Sequence, residues 1–309
     1  MILPQANNQE PIGQNDILTI NINGLEFGYK SFPILKDLNV KFDRSELASI
    51  IGPNGVGKST LIHCMNKILK PNDNAVLIDD RDVNTIKVKE MAKVMGYVPY
   101  TSSNTFPITV IDAVMMGRHP HSKIGSMDDD LKISYDMLER LGISDLAMRQ
   151  LNELSAGQLQ KVILAKGLAQ QPKVLLLDEP TANLDIKHQV GVTKLLKQIS
   201  VENNMTIIMI CHDLNIASKY SDRILMMSEG KIYASGTPEE VLTRENIRKV
   251  YDMKLDGTCK FGYLLGQIHH LLLGSFRSVG RRMKIHGVDG HPPLCDHISC
   301  HRGIDTAGQ

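Results

Sequence analysis

The chain has 309 residues, enough for one large or two modest domains with a buried core. Apolar residues make up 42% and charged residues 22%, and a net charge of +1 supplies no pull toward nucleic acid or an anionic membrane. Trp is absent and aromatic residues are 5%, too few for a stacking surface, so no nucleic-acid partner is expected.

Met1 to Asp16 is rich in Gln, Asn and Pro and reads as a flexible N-terminal segment, without the basic start or apolar stretch of a secretory signal. No run of ~18 apolar residues occurs. The densest stretch, Tyr263 to Gly274, is short and interrupted by Gln267, His269 and His270. A soluble chain is expected, with any membrane role passing through a partner. Five scattered cysteines, an odd number, fit reduced thiols in a cytoplasm.

Ile17 to Val40 alternates like an antiparallel β start. Leu47 to Ile51 is a short apolar strand, followed by a Gly-rich loop and a helix predicted over Lys58 to Leu69. Val76 to Ile78 opens another strand, and Val88, Met91, Ala92 and Met95 keep helical spacing up to Gly96. From Thr101 to Asn152 a helical region is expected. Leu131, Tyr135, Leu138 and Leu141 form its apolar face, and Gly142 stands at a C-terminal cap. Ser155 starts a helix with Leu159, Val162, Ile163 and Leu168 inward. Buried strands follow at Val174 to Leu177 and Thr206 to Ile210, separated by a helix carrying Ile186, Val190 and Leu196. Ile224 to Met227 and Ile232 to Ala234 read as a hairpin. Strands alternating with helices predict an α/β fold: a mostly parallel sheet, an antiparallel β part at the N-terminus and an inserted helical subdomain at about 101–170.

Gly52-Pro53-Asn54-Gly55-Val56-Gly57-Lys58-Ser59-Thr60 lies between a strand and a helix, the context of a P-loop. Its glycines let backbone N–H groups turn inward around the phosphates of ATP. Lys58 is expected to reach the β- and γ-phosphates and the Ser59 hydroxyl to ligate Mg²⁺. Asp178, ending a buried strand, is expected to hold Mg²⁺ through water, and Glu179 to orient and deprotonate the attacking water.

Leu154-Ser155-Ala156-Gly157-Gln158, ahead of Asp178-Glu179, resembles the signature of ABC-type ATPases. The resemblance covers roughly Leu18 to Tyr251, within an ATPase domain at 17–252. It implies that Ser155, Gly157 and Gln158 complete the ATP pocket of a second copy of the chain, packed head to tail. It also implies that Thr181 to Asp185 is the loop communicating across that dimer, that His212 contacts the γ-phosphate, and that Tyr29 stacks on adenine. Lys58, Glu179 and His212 are then the catalytic set. The pattern departs at Tyr100, where the family carries a Gln touching Mg²⁺ and the attacking water; a phenol cannot replace an amide oxygen. Ala156 stands for a signature Gly.

Phe106 to Val110, followed by Met116-Gly117-Arg118-His119-Pro120-His121, resembles the ATPase subunits of importers for iron-siderophore complexes, haem and cobalamin. The resemblance implies a peripheral subunit on the cytoplasmic face of the membrane, an integral-membrane permease docked on the helical subdomain, and, indirectly, a substrate-binding protein. Importers of molybdate, zinc or manganese are the nearest rivals, and soluble ABC ATPases of ribosomes or DNA repair a more distant one.

Residues 253–309 form a C-terminal extension. Met283 to Pro292 resembles a terminal strand pair, and Tyr263 to Leu272 suits one amphipathic helix. Cys295, His297, Cys300 and His301 cluster at its end, but their spacing matches no closed four-ligand metal module. Replacing Tyr100 with Gln is expected to speed hydrolysis or tighten its coupling; unchanged basal and transporter-stimulated ATPase would show that the position is not limiting.

Overall fold

The computed structural model describes residues 12–14, 17–30, 32–100, 107–121 and 126–251. The expectations placed on residues 101–106 and on the C-terminal extension lie outside them. In chain order the elements are β1 (Ile20–Tyr29), β2 (Phe32–Phe42), β3 (Leu47–Ile51), α1 (Lys58–Met65), β4 (Val76–Ile78) and β5 (Arg81–Asp82). Then come α2 (Val88–Val94), β6 (Met95–Val98), α3 (Val110–Met115), a 3₁₀ turn (Met116–Arg118), α4 (Met127–Arg140) and α5 (Ala156–Ala169). The last part holds β7 (Val174–Leu177), α6 (Ile186–Glu202), β8 (Thr206–Ile210), α7 (Leu214–Tyr220), β9 (Arg223–Ser228), β10 (Lys231–Gly236), α8 (Pro238–Val241) and α9 (Arg244–Tyr251).

Two sheets result. One has the order β10-β9-β3-β8-β7-β6, parallel throughout except for the antiparallel edge strand β10. The other, β2-β1-β4-β5, is antiparallel and recruits two strands from beyond the P-loop helix. The central strands are buried on both faces, which is why they read as unbroken apolar runs. Their side chains alternate between two cores. Leu47, Leu175, Ile207 and Ile224 pack with the α3–α7 helices on one face. Ala48, Leu176, Ile208 and Leu225 pack with α1, α2 and the antiparallel sheet on the other.

Several boundaries differ from expectation. The P-loop helix ends at Met65 rather than Leu69, because Asn66 leaves helical geometry and Lys67 turns to φ +61°. The helical spacing expected up to Gly96 stops at Val94, and Met95 begins β6, captured by parallel pairing with β7. Leu138 and Leu141 are buried as expected, but Leu131 and Tyr135 remain over 40% exposed, so the apolar face of α4 is only half covered. Ile186 is exposed, and Val192, Leu196 and Ile199 carry the buried face of α6. Within the segment expected to be flexible, Ile12 is buried, and the N–H groups of Ile12 and Gly13 donate to Glu90 and Asp79.

Gly142 caps α4 in a Schellman arrangement. Its N–H donates to Glu139, the Ile143 N–H donates to Leu138, and its φ is +64°. A Cβ there meets nothing within 4 Å, so only backbone strain opposes a side chain. Gly142→Ala is therefore expected to cost about 1 kcal/mol, lowering Tm by roughly 2–4 °C without changing ATPase; a thermal melt with a rate assay checks both.

Candidate nucleotide-binding and hydrolysis site

The parallel strands β3, β7 and β8 all point their C-terminal ends at one edge of the sheet, the place where an α/β fold binds ligands. From β3 the chain turns through Gly52, whose φ is +143°. A Cβ there would sit 2.3 Å from the Met227 carbonyl oxygen at the end of β9, so only glycine fits. Gly57, at φ +102°, is pressed by Ile34 and Leu35 of β2, which leaves no room for a larger residue. The same hairpin ends in Tyr29, half exposed and set edge-on to Phe27 with ring centroids 5.2 Å apart. The residue expected from sequence to stack on adenine thus ends β1, the strand paired with the one that braces the loop.

Lys58 is buried, and its Nζ donates to the Gly52 and Pro53 carbonyls at 2.8 Å each. Burial holds its pKa below the ordinary lysine value, opposed by the nearby Glu179 and Asp178 carboxylates. An ammonium has three protons, so one remains for a phosphate oxygen.

The Ser59 hydroxyl donates to Asp178 Oδ1 at 3.2 Å, and the Asp178 N–H is fixed by the Val98 carbonyl of β6 at 2.9 Å. Burial pushes the Asp178 carboxyl above the usual carboxylate range, against the Ser59 hydrogen bond and the positive groups nearby. A hydroxyl and a desolvated carboxylate meeting at the mouth of a phosphate loop are hard oxygen donors. They suit Mg²⁺ better than a softer metal. Among the described residues no cluster of three or more His, Cys, Asp or Glu side chains is built to hold a metal ion on its own.

Glu179 follows with φ +51°, a left-handed backbone that is strained for a residue with a side chain. His212 arrives from the end of β8, where Cys211 N–H donates to the Ile50 carbonyl at 3.0 Å. Its Nε2 lies 2.5 Å from Glu179 Oε1, so the imidazole holds one carboxylate oxygen and leaves the other for water. Burial pushes the Cys211 thiol up to about 12, and that of Cys64 likewise, which leaves both inert.

Ser155, Gly157 and Gln158 stand elsewhere. Ser155 caps α5 in a reciprocal box with Gln158, its Oγ accepting from the Gln158 N–H while Gln158 Oε1 accepts from the Ser155 N–H. These residues line a separate cavity of about 450 Å³ with Lys161, Asn183 and His188. Among the described residues, no hydrogen bond or ion pair joins the three to the P-loop, Asp178, Glu179 or His212. Tyr100 lies half exposed just beyond β6, at the sheet edge where Asp178 emerges.

One pair beside the site was not anticipated. His63 Nε2 and the Tyr97 hydroxyl are 2.9 Å apart, and burial together with the Asp178 carboxylate pushes the Tyr97 phenol up to about 12. His63 lies one helical turn after Ser59, and the fold pairs Tyr97 with Leu176, two residues before Asp178, so the two meet only once β6 is seated beside β7.

Comparison with known proteins gives the family. The ABC transporter family model matches residues 35–182. An uncharacterized ABC transporter ATP-binding protein of Methanocaldococcus jannaschii, MJ0089, is 46% identical over 76% of this chain and 92% of its own length. The chain belongs to the ABC transporter ATP-binding proteins. It is an ATPase whose hydrolysis is coupled to transport. The iron(3+)-hydroxamate import ATP-binding protein FhuC of Bacillus subtilis is 35% identical, over 76% of this chain and 88% of that one. The dimeric post-hydrolysis structure of the cassette MJ0796, bound to ADP and Pi, matches with TM-score 0.65 at 27% identity, over 71% of this chain and 98% of that one.

Asp178→Asn should remove a desolvated charge while keeping an acceptor for Ser59. The nucleotide-free protein is then expected to gain about 1 kcal/mol, and Mg²⁺-dependent hydrolysis to fall sharply. Because the folded-state pKa is raised, the gain is full at neutral pH and fades as pH falls through that pKa toward the unfolded value. Melts at pH 7 and pH 4 test the sign.

Proposed function

We propose that this chain is the ATPase subunit of an importer for a metal chelate of the iron-siderophore, haem or cobalamin type. Two copies close head to tail on ATP at the cytoplasmic face of the membrane. The observation that carries the dimer is the division of the site. The P-loop, Asp178, Glu179 and His212 converge at one sheet edge, whereas the signature residues form a second concavity with no bond to it. Each half is chemically incomplete without its counterpart from another copy.

The roles follow from the local chemistry. P-loop amides and the third Lys58 proton neutralise charge on the phosphates. Glu179, held by His212 through one oxygen, accepts the proton of the water that attacks the γ-phosphate, and His212 supplies a hydrogen-bond donor beside the developing charge. Ser59 and Asp178 would hold Mg²⁺, which would offset the charge of the phosphates. Tyr29 offers its exposed face to adenine, and the Ser155 helix end offers amides and a hydroxyl to the γ-phosphate bound by the other copy.

No helix among the described residues is long and apolar enough to cross a membrane; the importer reading itself calls for a permease as partner. The uncovered half of α4 supplies a docking surface. Leu131 and Tyr135 line a groove of about 700 Å³ with Ile111, Ala147 and Met148, and Met148 is 78% exposed. The substrate class is supported by the Gly117-Arg118-His119-Pro120 segment and by the likeness to a hydroxamate-import ATPase.

Glu179→Gln is expected to slow hydrolysis by about 10²–10⁴-fold and to leave a dimer stable on MgATP in gel filtration; rapid turnover by this variant removes Glu179 from the role. Copurified with its permease, the wild-type chain is expected to show ATPase stimulated by a binding protein loaded with a ferric hydroxamate or cobalamin. Stimulation by a molybdate- or zinc-loaded protein instead would overturn the substrate class.

A further inference from the structure

The Gly117-Arg118 pair belongs to the segment that resembles the importer ATPases in sequence. In the structure it faces inward. Arg118 is 7% exposed and Asp130 5%, and Arg118 Nε donates to Asp130 Oδ1 at 2.9 Å. Its NH1 donates to the Ala169 carbonyl at 2.8 Å and to Gln171 Oε1 at 2.9 Å. Ser126 Oγ donates to the other Asp130 oxygen at 3.0 Å. The guanidinium beside Asp130 holds that carboxyl below its ordinary range, so the pair is ionised throughout the neutral region.

Ala169 is the last residue of α5, and its carbonyl is one of those a helix end leaves without an intrahelical partner. A cation donating to it also complements the negative end of the helix dipole. Gly117 makes the approach possible: a Cβ there would lie 2.2 Å from the Lys166 carbonyl oxygen, so the turn rests directly on the α5 backbone. Fourteen residues away along α5, a distance of roughly 21 Å, stands the signature residue Ser155.

We infer that Gly117 and Arg118 form a clasp on the C-terminal end of α5, making Arg118 a positioning residue that sets the place of Ser155 in the second half of the ATP pocket. The 3₁₀ turn, the start of α4 and the signature helix then move as one body. Met116, half exposed on that turn, lies where a push from outside reaches the clasp. The inference rests on the reading of Ser155 as part of a nucleotide pocket shared between two copies.

The test uses the Glu179→Gln chain as parent. Into it go Arg118→Met, Arg118→Lys, and Arg118→Met combined with Asp130→Met, which removes the stranded carboxylate and restores apolar packing. Fluorescent ATP-analogue binding to the monomer is expected to stay within about twofold of the parent, because the P-loop is untouched. The ATP-dependent dimer is expected to weaken by about tenfold in both Met variants, with partial rescue by Lys. Recovery of Tm in the double variant without recovery of dimerisation marks positioning. Dimerisation that follows Tm across the series, or does not change, overturns the clasp. A parent that fails to dimerise on ATP counts against the shared-pocket reading instead. The clasp is then judged by hydrogen exchange at Gln158 to Leu164 in the double variant: faster exchange despite restored Tm supports it, and unchanged exchange overturns it.

Discussion

The whole site hangs on a close approach of backbone to backbone at Gly52. With Met227 pressing from β9, the chain leaving β3 has no space for a side chain and adopts a φ that L-residues avoid. That turn brings the Gly52 and Pro53 carbonyls within reach of Lys58. The parallel pairing of β3 with β8 and β9 supplies the rigidity behind it. Ordering a loop of this kind costs conformational entropy, and packing on both sides of the central sheet offsets it.

Around this turn the chain concentrates charge that it does not neutralise locally. Asp178 is buried and, among the described residues, accepts a side-chain hydrogen bond only from Ser59, and Lys58 is buried with two of its three protons on carbonyls. Each is pushed by desolvation toward its neutral form, Asp178 upward and Lys58 downward. Glu179 adds backbone strain at φ +51°. A site built this way is strained when empty, and on the proposed reading highly charged phosphates and a divalent cation would satisfy it, making binding energy available to close a dimer.

Much of this was legible because the signals are local. Glycine spacing marks the P-loop, apolar runs mark β7 and β8, and Ser155 with Gln158 three residues on is a capping box on its face. The hairpin at Ser228-Glu229-Gly230 is equally explicit, with Glu229 and Gly230 both at positive φ. The misses are non-local. The helical spacing read up to Gly96 ends at Val94, and Met95 instead opens a strand that β7 pairs alongside. Leu131 and Tyr135 share a stripe with Leu138, yet the domain covers only half of it. His63 and Tyr97 carry no motif and meet only through the fold.

Arg118 shows the same limit most sharply. Its partners Asp130, Ala169 and Gln171 stand 12, 51 and 53 residues away, so nothing beside it in the chain reveals that it is buried. A solvated arginine in that turn contributes little, because exposed ion pairs are screened and entropically costly. A buried one must keep every partner or leave a stranded charge, which makes its geometry close to all-or-none. That property suits a junction between a surface turn and a helix that serves another copy's nucleotide. A displacement at one end is not absorbed by a soft contact and travels along a rod of hydrogen-bonded backbone to Ser155. On the proposed reading, the Gly117-Arg118 segment acts through rigidity inside the domain, and the apolar groove along α4 is left free for an outward contact.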